Sequence, residues 1–329
     1  MQSLKLPVLI TKDTNQAKEA LVAKEIIAIP TETVYGLAGN AFDENAIRKI
    51  FLLKNRPLHN PLIVHIKSVD YLKEIALDIP IKAMVLANHF WPGPLTLVLK
   101  KHPKIPDIVT AGNNTIAIRI PNHPLTLELL NKLDFPLAAP SANPFGSISP
   151  TSSEHVANYF KDELKIILDG GRCAKGIEST IVGFENGEPI IYRLGSLSVE
   201  EIEQVMGPLN QRIHNAESPE APGMLEKHYS PKTPTYFTDD VAALCKTFKG
   251  NKIGVLLFKN KILDADIHQQ EILSLTGNFQ EAAANLYASM HLLDQKKLDV
   301  IIAEKLPEID LGRSINDRLE RASKNRIIT

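Results

Sequence analysis

The sequence contains very little cysteine and no long apolar run. Cysteine occurs only twice in 329 residues, as Cys173 and Cys245. Two distant cysteines exclude a cysteine-based zinc module and argue against a disulfide framework. No segment approaches the roughly 18 apolar residues of a membrane span. The first residues, MQSLKLPVLI, also lack the pattern of a signal peptide. We therefore expect two free thiols in a cytoplasmic protein.

The chain also has no excess of charge of either sign. Its net charge is -1 at pH 7, and 44% apolar and 23% charged residues are ordinary for a globular protein. This balance argues against a protein that binds polyanions over its whole surface. Any phosphate site must then be a local cluster of cations. The length predicts about two domains of ~150 residues each.

Motifs of several large enzyme classes are missing. The chain has no Gly-x-x-x-x-Gly-Lys-Ser/Thr phosphate loop, and no Gly-x-Gly-x-x-Gly follows a predicted strand. It has neither a Gly-x-Ser-x-Gly elbow nor a His-Glu-x-x-His pair. Cys173 lies in the basic segment Gly-Gly-Arg-Cys-Ala-Lys-Gly, which could lower the pKa of a nucleophilic thiol. The alternative is a small buried residue.

One stretch, residues 26–66, combines apolar runs with polar turns. A predicted strand ends at Pro30 and leads into the hydroxyl-rich loop Thr31-Glu32-Thr33. Gly36 and Gly39 predict loop conformations that bulkier residues resist. Asp43 is expected to cap a helix that ends in Lys54-Asn55-Arg56-Pro57, before a second strand at 62–66. Hydroxyls at the carboxyl end of a strand, beside a basic turn, are typical of ligand sites in α/β proteins.

Strands and helices alternate along the rest of the chain. The pattern predicts helices at 14–24, 68–77, 80–90, 124–133, 151–160 and from 198, and strands at 95–100, 115–121, 136–140, 165–171, 179–184 and 189–194. Residues 208–234 contain five prolines and no sustained period, which indicates a linker. Beyond it, helices at 239–249, 278–295 and 314–322 and strands at 253–258, 271–275 and 299–304 predict a small parallel α/β domain.

Several cations and hydroxyls lie at predicted strand ends. The cations are Lys54, Arg56, Arg119 and Arg193, and the hydroxyls are those of Thr31, Thr33, Ser141, Ser147, Ser149, Ser179 and Thr180. For each cation, the alternative to a ligand-binding role is a position on the solvated surface. It fits Arg119 least, because this arginine lies inside an alternating strand. Together these groups could bind a triphosphate. Without a nucleophile, they suit a reaction between two bound substrates, accelerated by positioning and charge stabilisation.

At this point the motifs resemble those of the YrdC-like family in its long, two-domain form. The matching segments, in order, are Pro30-Thr31-Glu32-Thr33-Val34-Tyr35-Gly36-Leu37, Lys54-Asn55-Arg56-Pro57, Asn60-Pro61-Leu62, Ser141-Ala142-Asn143, Gly176-Ile177-Glu178-Ser179-Thr180-Ile181-Val182, Tyr192-Arg193-Leu194-Gly195, Ala221-Pro222-Gly223-Met224 and His228-Tyr229-Ser230-Pro231. The resemblance implies an α/β fold. A YrdC-like twisted mixed sheet with flanking helices would occupy residues 1–207. A linker that acts as a lid would follow at 208–234, and a small Rossmann-like parallel α/β domain at 235–329.

The resemblance also implies an activity, threonylcarbamoyl-AMP synthesis by a nucleotidyltransferase. L-threonine, bicarbonate and ATP, with Mg²⁺, would give threonylcarbamoyl-AMP and pyrophosphate for the N6-threonylcarbamoyladenosine modification of tRNA. The expected downstream partner is the complex that transfers the group to tRNA. A weak contact with tRNA itself and the absence of membrane binding are further expectations.

Site residues follow from the same resemblance, by position in this sequence. Lys54, Arg56 and Arg119 would be catalytic, and Thr33, His65, Arg119 and Ser179 would bind L-threonine. ATP would contact Lys54, Arg56, Asn60, Thr115, Ser141, Ser149, Arg193, His228 and Tyr229. No protein-held metal site is expected. Taken alone, His65 would more simply be a core or surface histidine.

Two other functions were weighed. An RNA-binding module is disfavoured by the near-neutral charge and by the lack of interleaved aromatic and basic residues. A carbamoyltransferase of hydrogenase maturation contains a similar module, but it also needs cysteine-rich zinc motifs, which two cysteines cannot supply.

Overall fold

The computed structural model describes residues 8–213, 229–263 and 266–323. It forms two sheets. The strands of the larger sheet are β1 (Leu9–Thr11), β2 (Ile27–Ile29), β3 (Gly36–Asn40), β4 (Ile63–His65), β5 (Ala76–Leu77), β6 (Leu95–Lys101), β7 (Thr115–Arg119), β8 (Leu137–Ala138), β9 (Ile166–Leu168), β10 (Thr180–Glu185), β11 (Glu188–Arg193) and β12 (Asn210–Gln211). Their order is β1-β9-β2-β3-β8-β4-β7-β6-β10-β11-β12, with β5 paired to β6. The sheet is mixed, since β4 and β7 run parallel whereas β6 and β7 run antiparallel.

Eight helices flank this sheet in the described residues: α1 (Thr14–Val22), α2 (Glu44–Lys54), α3 (Leu72–Ile75), α4 (Ile81–Phe90), α5 (Asp107–Thr110), α6 (Pro124–Asn131), α7 (Ser153–Phe160) and α8 (Val199–Met206). Local capping explains several of their starts. The Asp43 side chain accepts hydrogen bonds from the backbone amides of Asn45 and Ala46, and Ser198 forms a capping box with Glu201. Both caps confirm sequence predictions.

The second sheet contains β13 (Thr235–Thr238), β14 (Ile253–Leu257), β15 (Ile267–Ile272) and β16 (Val300–Glu304). Its order is β13-β16-β14-β15, and every pairing is parallel. The helices of this part are α9 (Val241–Thr247), α10 (Phe279–Asp294) and α11 (Leu311–Ser323). The predicted small parallel α/β unit is thus confirmed. The domain boundaries at 207 and 235 remain a prediction.

Some local predictions were wrong. Gly36–Asn40 is a strand, because it pairs with β2 and β8 on its two sides. Its glycines have ordinary backbone angles and instead allow close packing, with a Cβ on Gly36 falling 3.2 Å from that of Ala139. The expected helix at 68–77 is a 3-10 turn, a short helix and a strand. The strand expected at 271–275 lies at 267–272 instead.

The two parts share an apolar core. One cluster contains Val34, Ile148 and Ile177 from the first part together with Leu286 and Tyr287 of α10. At the boundary, Gly176 has φ of +73°, and a Cβ there would lie 2.4 Å from the carbonyl oxygen of Ala283. The helix α10 therefore packs directly against the backbone of the Gly176–Val182 segment.

Polar contacts join the same two surfaces. The His291 ring lies 3.2 Å from the carbonyl oxygen of Ser149, and Ser314 donates to the carbonyl of Gly195 at 2.8 Å. An ion pair of 2.5 Å connects Arg313 with Glu200. The second part thus contacts the loops that carry the sequence motifs.

Candidate active site

A cavity that is partly open to solvent lies at the ends of the central strands. It is lined by Thr31, Thr33, Val34, Gly36, Arg56, Ile63, His65, Arg119, Ala139, Pro140, Ser141, Glu178, Ser179, Arg193 and Tyr229. His65 and Arg119 are opposite each other at the ends of the parallel strands β4 and β7. The chain folds so that residues from six separate motifs share one concave site.

Arg119 is held in place from three sides. Its Nη1 donates to Thr33 Oγ1 at 2.9 Å, and its Nε donates to the carbonyl of Gly93 at 3.1 Å. Nη2 forms a 2.6 Å ion pair with Oε1 of Glu32. The other oxygen of Glu32 accepts from the Asn122 amide at 2.9 Å. The guanidinium therefore has a fixed orientation at the cavity wall, where a ligand carboxylate would find a planar fork of donors.

His65 is a buried histidine whose Nδ1 has no hydrogen-bond partner within the described residues. Burial, and to a smaller extent the charge of the neighbouring Arg119, lower its pKa to about 3. The imidazole is therefore neutral at physiological pH. It offers an uncharged polar group to a ligand held by Arg119.

Two more buried arginines line the same cavity. The Arg56 guanidinium donates to the carbonyls of Asn60 and Pro61 at 3.1 and 2.8 Å. Arg193 donates to the Ser179 carbonyl at 2.7 and 3.1 Å and to its hydroxyl at 3.1 Å. Burial lowers the pKa of Arg56 to about 9, with a smaller contribution from Arg193. Two cations desolvated so close together favour an anionic ligand between them.

Lys54 is placed differently from these arginines. It is buried, its Nζ donates to the carbonyls of Ser141 and Asn143, and it is not among the cavity-lining side chains. Burial, and then Arg56, lower its pKa well below the usual value. In this geometry Lys54 fixes the Ser141–Asn143 loop from behind.

The remaining nucleotide candidates differ in their access to the cavity. Ser141 lines it. Asn60 is fully buried, and neither of its side-chain polar atoms has a partner in the part of the chain that the structure describes. Ser149 is buried, and its hydroxyl donates to Glu178 at 2.7 Å. Thr115 begins β7, four residues before Arg119, and it is not among the lining residues.

Tyr229 is buried and lines the cavity, as a residue that folds over a ligand would. It is anchored by its neighbour Ser230, whose amide donates to the carbonyl of Gly146 at 2.8 Å. The predicted lid residue His228 lies outside the described residues.

Two carboxylates at the site were not singled out from the sequence. Glu32 pairs with Arg119, and Glu178 lines the cavity. Both lie inside the quoted motifs, but a search for anion-binding groups concentrates on cations and passes over acids. The contacts that occupy Glu178 come partly from Tyr287 and Arg318, more than 100 positions later. No local pattern could have indicated them.

The interpretation of Cys173 as a nucleophilic thiol is wrong. Cys173 and Cys245 are both free and buried. Burial raises the pKa of Cys173 to about 12 despite two arginines nearby. A thiol in this state is not a nucleophile at neutral pH.

No helix within the described ranges is long and apolar enough to cross a membrane.

Comparisons with known proteins agree with these motifs. A family model for Sua5, YciO and YrdC proteins, described as "Telomere recombination", matches residues 19–195. A second model, "Threonylcarbamoyl-AMP synthase, C-terminal domain", matches residues 197–324.

Individual relatives cover nearly the whole chain. The threonylcarbamoyl-AMP synthase of Pyrococcus abyssi is 41% identical over 92% of this chain and 92% of its own length. The Bacillus subtilis protein of the same name is 38% identical over 95% of this chain and 93% of its own length. A crystal structure of P. abyssi Sua5 complexed with L-threonine superposes with a TM-score of 0.90, at 38% identity and 98% coverage of both chains.

Proposed function

Because the chain belongs to the Sua5/YciO/YrdC family of threonylcarbamoyl-AMP synthases, we propose that it joins L-threonine, bicarbonate and ATP into threonylcarbamoyl-AMP and pyrophosphate. The observation that carries the proposal is the single cavity lined by three buried arginines and several hydroxyls. Such a cavity binds two anionic substrates side by side. The product would serve the threonylcarbamoyl modification of tRNA in the cytoplasm, passed on to a transferase complex.

The arginine at the end of β7 supports an amino-acid subsite. The threonine carboxylate would lie against Arg119, with Thr33 and Ser179 as hydroxyl partners and neutral His65 beside it. Because Arg119 is already oriented by Glu32 and Gly93, binding would require little side-chain ordering. The apolar wall formed by Ile63 and Ala139 would take the threonine methyl group.

The other two arginines of the cavity support a nucleotide subsite. Arg56 and Arg193 would hold the phosphates, with Ser141, Ser149 and Asn60 as hydrogen-bonding groups. The side-chain amide of Asn60 has no partner among the described residues, and it is a buried polar group of the kind that a ligand satisfies. Lys54 would act from behind by fixing the loop of Ser141, and Thr115 would lie at the periphery. His228 and Tyr229 would close over the nucleotide.

The chemistry needs positioning and charge stabilisation more than a nucleophile. The neutral amine of threonine and bicarbonate give a carbamate and water. A carbamate oxygen then attacks the α-phosphorus, and pyrophosphate leaves. The arginines would stabilise the charge that develops on the phosphate oxygens. Exclusion of water under Tyr229 would protect the carbamate.

Mg²⁺ would enter this site with the triphosphate. The described residues contain no group of three His, Cys, Asp or Glu side chains that could hold a metal ion. Both oxygens of Glu178 already accept hydrogen bonds. The ligands of Mg²⁺ would therefore be phosphate oxygens and water, which is common for this ion.

The deciding experiment measures pyrophosphate release from ATP with L-threonine and bicarbonate, with each omitted in turn. We expect release only when both are present, and mass spectrometry should detect threonylcarbamoyl-AMP. L-serine serves as the control amino acid because it lacks only the methyl group. Pyrophosphate release that does not depend on L-threonine would contradict the proposal.

The proposed weak contact with tRNA is tested separately, since its affinity should fall steeply as the salt concentration rises.

A further inference from the structure

The cavity proposed to bind ATP contains a carboxylate on its wall. Glu178 is 7% exposed and lines the cavity together with Arg56 and Arg193. A buried, uncompensated carboxylate at this place would repel a triphosphate. An anion site of this kind works only if the negative charge is balanced and turned away from the ligand.

The balancing charge comes from the C-terminal part of the chain. Arg318 of α11 is completely buried, and its Nε donates to Oε2 of Glu178 at 3.2 Å. The hydroxyl of Tyr287 on α10 donates to the same oxygen at 2.9 Å. The other oxygen accepts from the Ser149 hydroxyl at 2.7 Å. Both oxygens of Glu178 are thus occupied, and the cation that bonds to it is 140 positions away and also pairs with Asp317 at 2.9 Å.

The same guanidinium also contacts the proposed lid. Arg318 lies over the ring of Tyr229, 5.6 Å from its centroid, and the rings of Tyr229 and Tyr287 are 5.7 Å apart. A cation over an aromatic face attracts it. Arg318 therefore contacts two cavity-lining residues, Glu178 and Tyr229, without lining the cavity itself.

We propose that the C-terminal domain completes the nucleotide site. Arg318 neutralises Glu178 and, with Tyr287, holds it against Ser149, so that the cavity accepts a triphosphate. Arg318 and Tyr287 are positioning residues, since they act through Glu178 and Tyr229. This inference rests on the proposed function and assigns the second domain a role in ATP binding.

A charge-rescue experiment in the full-length protein tests it. The dissociation constant of a non-hydrolysable ATP analogue is measured by calorimetry for Arg318→Met, Glu178→Gln and the double variant. We expect Arg318→Met to raise the constant at least about tenfold, since truncation leaves a buried charge unpaired. Glu178→Gln should bind the analogue as tightly as the unchanged protein or more tightly. The double variant should recover most of the lost affinity, because residue 178 is then uncharged and Asp317, the other carboxylate paired with Arg318, keeps its ion pair with Arg321.

Two further variants keep the test decisive. Arg313→Met is the matched control: Arg313 is also on α11 and also pairs with a carboxylate of the first part, Glu200, but neither residue lines the cavity. It should leave the dissociation constant unchanged. Tyr287→Phe removes one hydroxyl and keeps the ring packing, and it should raise the constant several-fold. This variant still gives an answer should Arg318→Met fail to fold.

Any of four results would overturn the inference. Two are a dissociation constant that stays unchanged in folded Arg318→Met and one that stays unchanged in Tyr287→Phe. The others are a loss of affinity in Glu178→Gln alone and a double variant that binds the analogue as weakly as Arg318→Met. The last would mean that Arg318 has only a structural role. Pyrophosphate release by the unchanged protein, dependent on L-threonine and bicarbonate, reports separately on the proposed function.

Discussion

Arg119 Nη2 and Glu32 Oε1 lie 2.6 Å apart, and both side chains are more than nine-tenths buried. A buried ion pair of this kind depends on further hydrogen bonds to both partners, which Thr33, Gly93 and Asn122 supply. The consequence is an arginine that is rigid before any ligand binds. Its charge is partly balanced, so that it does not attract every small anion equally.

Arg119→Ala should abolish pyrophosphate release that depends on L-threonine. The change removes the planar donor fork and leaves Glu32 as an uncompensated buried carboxylate. ATP binding should survive in part, since Arg56 and Arg193, the other two arginines that line the cavity, are kept. Steady-state release and a separate ATP titration check this. Arg48→Ala is the control, because Arg48 pairs with Glu44 on the surface. Turnover within a few-fold of the unchanged protein would mean that Arg119 does not bind the amino acid.

Glu32→Gln should raise the KM for L-threonine about tenfold, a loss of the order of 1.4 kcal/mol, and change the KM for ATP less than threefold. Glutamine keeps an oxygen for the Asn122 amide but loses the charge that orients Arg119. A split between the two KM values separates positioning from general destabilisation. Glu44→Gln removes an exposed carboxylate and should change neither value. Equal increases in both constants would contradict the assigned role.

Buried histidines should make the protein less stable in mild acid. Burial lowers the pKa of His291 to about 4 and that of His65 to about 3, from an ordinary value of 6.5. At pH values between these lowered pKa values and 6.5, the unfolded chain binds protons that the folded chain does not, so the free energy of unfolding falls as the pH falls. Each histidine contributes a slope of up to about 1.4 kcal/mol per pH unit. Urea unfolding at pH 7 and pH 5 measures it.

His291→Gln isolates one contribution to this slope. Its side-chain amide can still donate to the Ser149 carbonyl, so the contact between the two parts is kept while the titrating group is removed. The variant should lose less stability between pH 7 and pH 5 than the unchanged protein. An identical loss would mean that His291 titrates normally in the folded state.

Cys173→Ser should leave threonine-dependent turnover within about twofold. Because burial raises the pKa of the thiol to about 12, no thiolate is available at neutral pH. A modest loss of stability is expected, since serine places a more polar hydroxyl in an apolar site. Turnover measured beside a thermal melt distinguishes the two effects. Complete loss of turnover in a folded variant would restore the thiol as a catalytic candidate.

The sequence predicted the features that depend on local chemistry. Asp43 and Ser198 cap helices as expected, because their side chains accept hydrogen bonds from amides two or three residues later. The parallel C-terminal sheet followed from the alternation of elements. The shared cavity followed from motifs whose polar groups end neighbouring strands, although the ligand that each residue contacts remains a prediction.

Features that depend on distant partners were missed. The segment Gly36–Asn40 was interpreted as a loop from its glycines, but pairing on both sides makes it a strand. The strands β1 and β13 were not predicted, since they are short and are defined by their neighbours. The role of Lys54 in the site remains a prediction; the carbonyls of Ser141 and Asn143 that its amine contacts are almost 90 positions away, and no local pattern indicates them.

The contact at Gly176 offers a way to separate the two halves mechanically. A single methyl group there would collide with the Ala283 carbonyl and would also have to adopt a left-handed backbone, without altering any charge or hydrogen-bonding group. Gly176→Ala would therefore act as a wedge between α10 and the motif loop. It would change domain docking by steric means alone, and because Tyr287 of α10 donates to Glu178 two residues further along, the same wedge would also loosen that wall of the cavity.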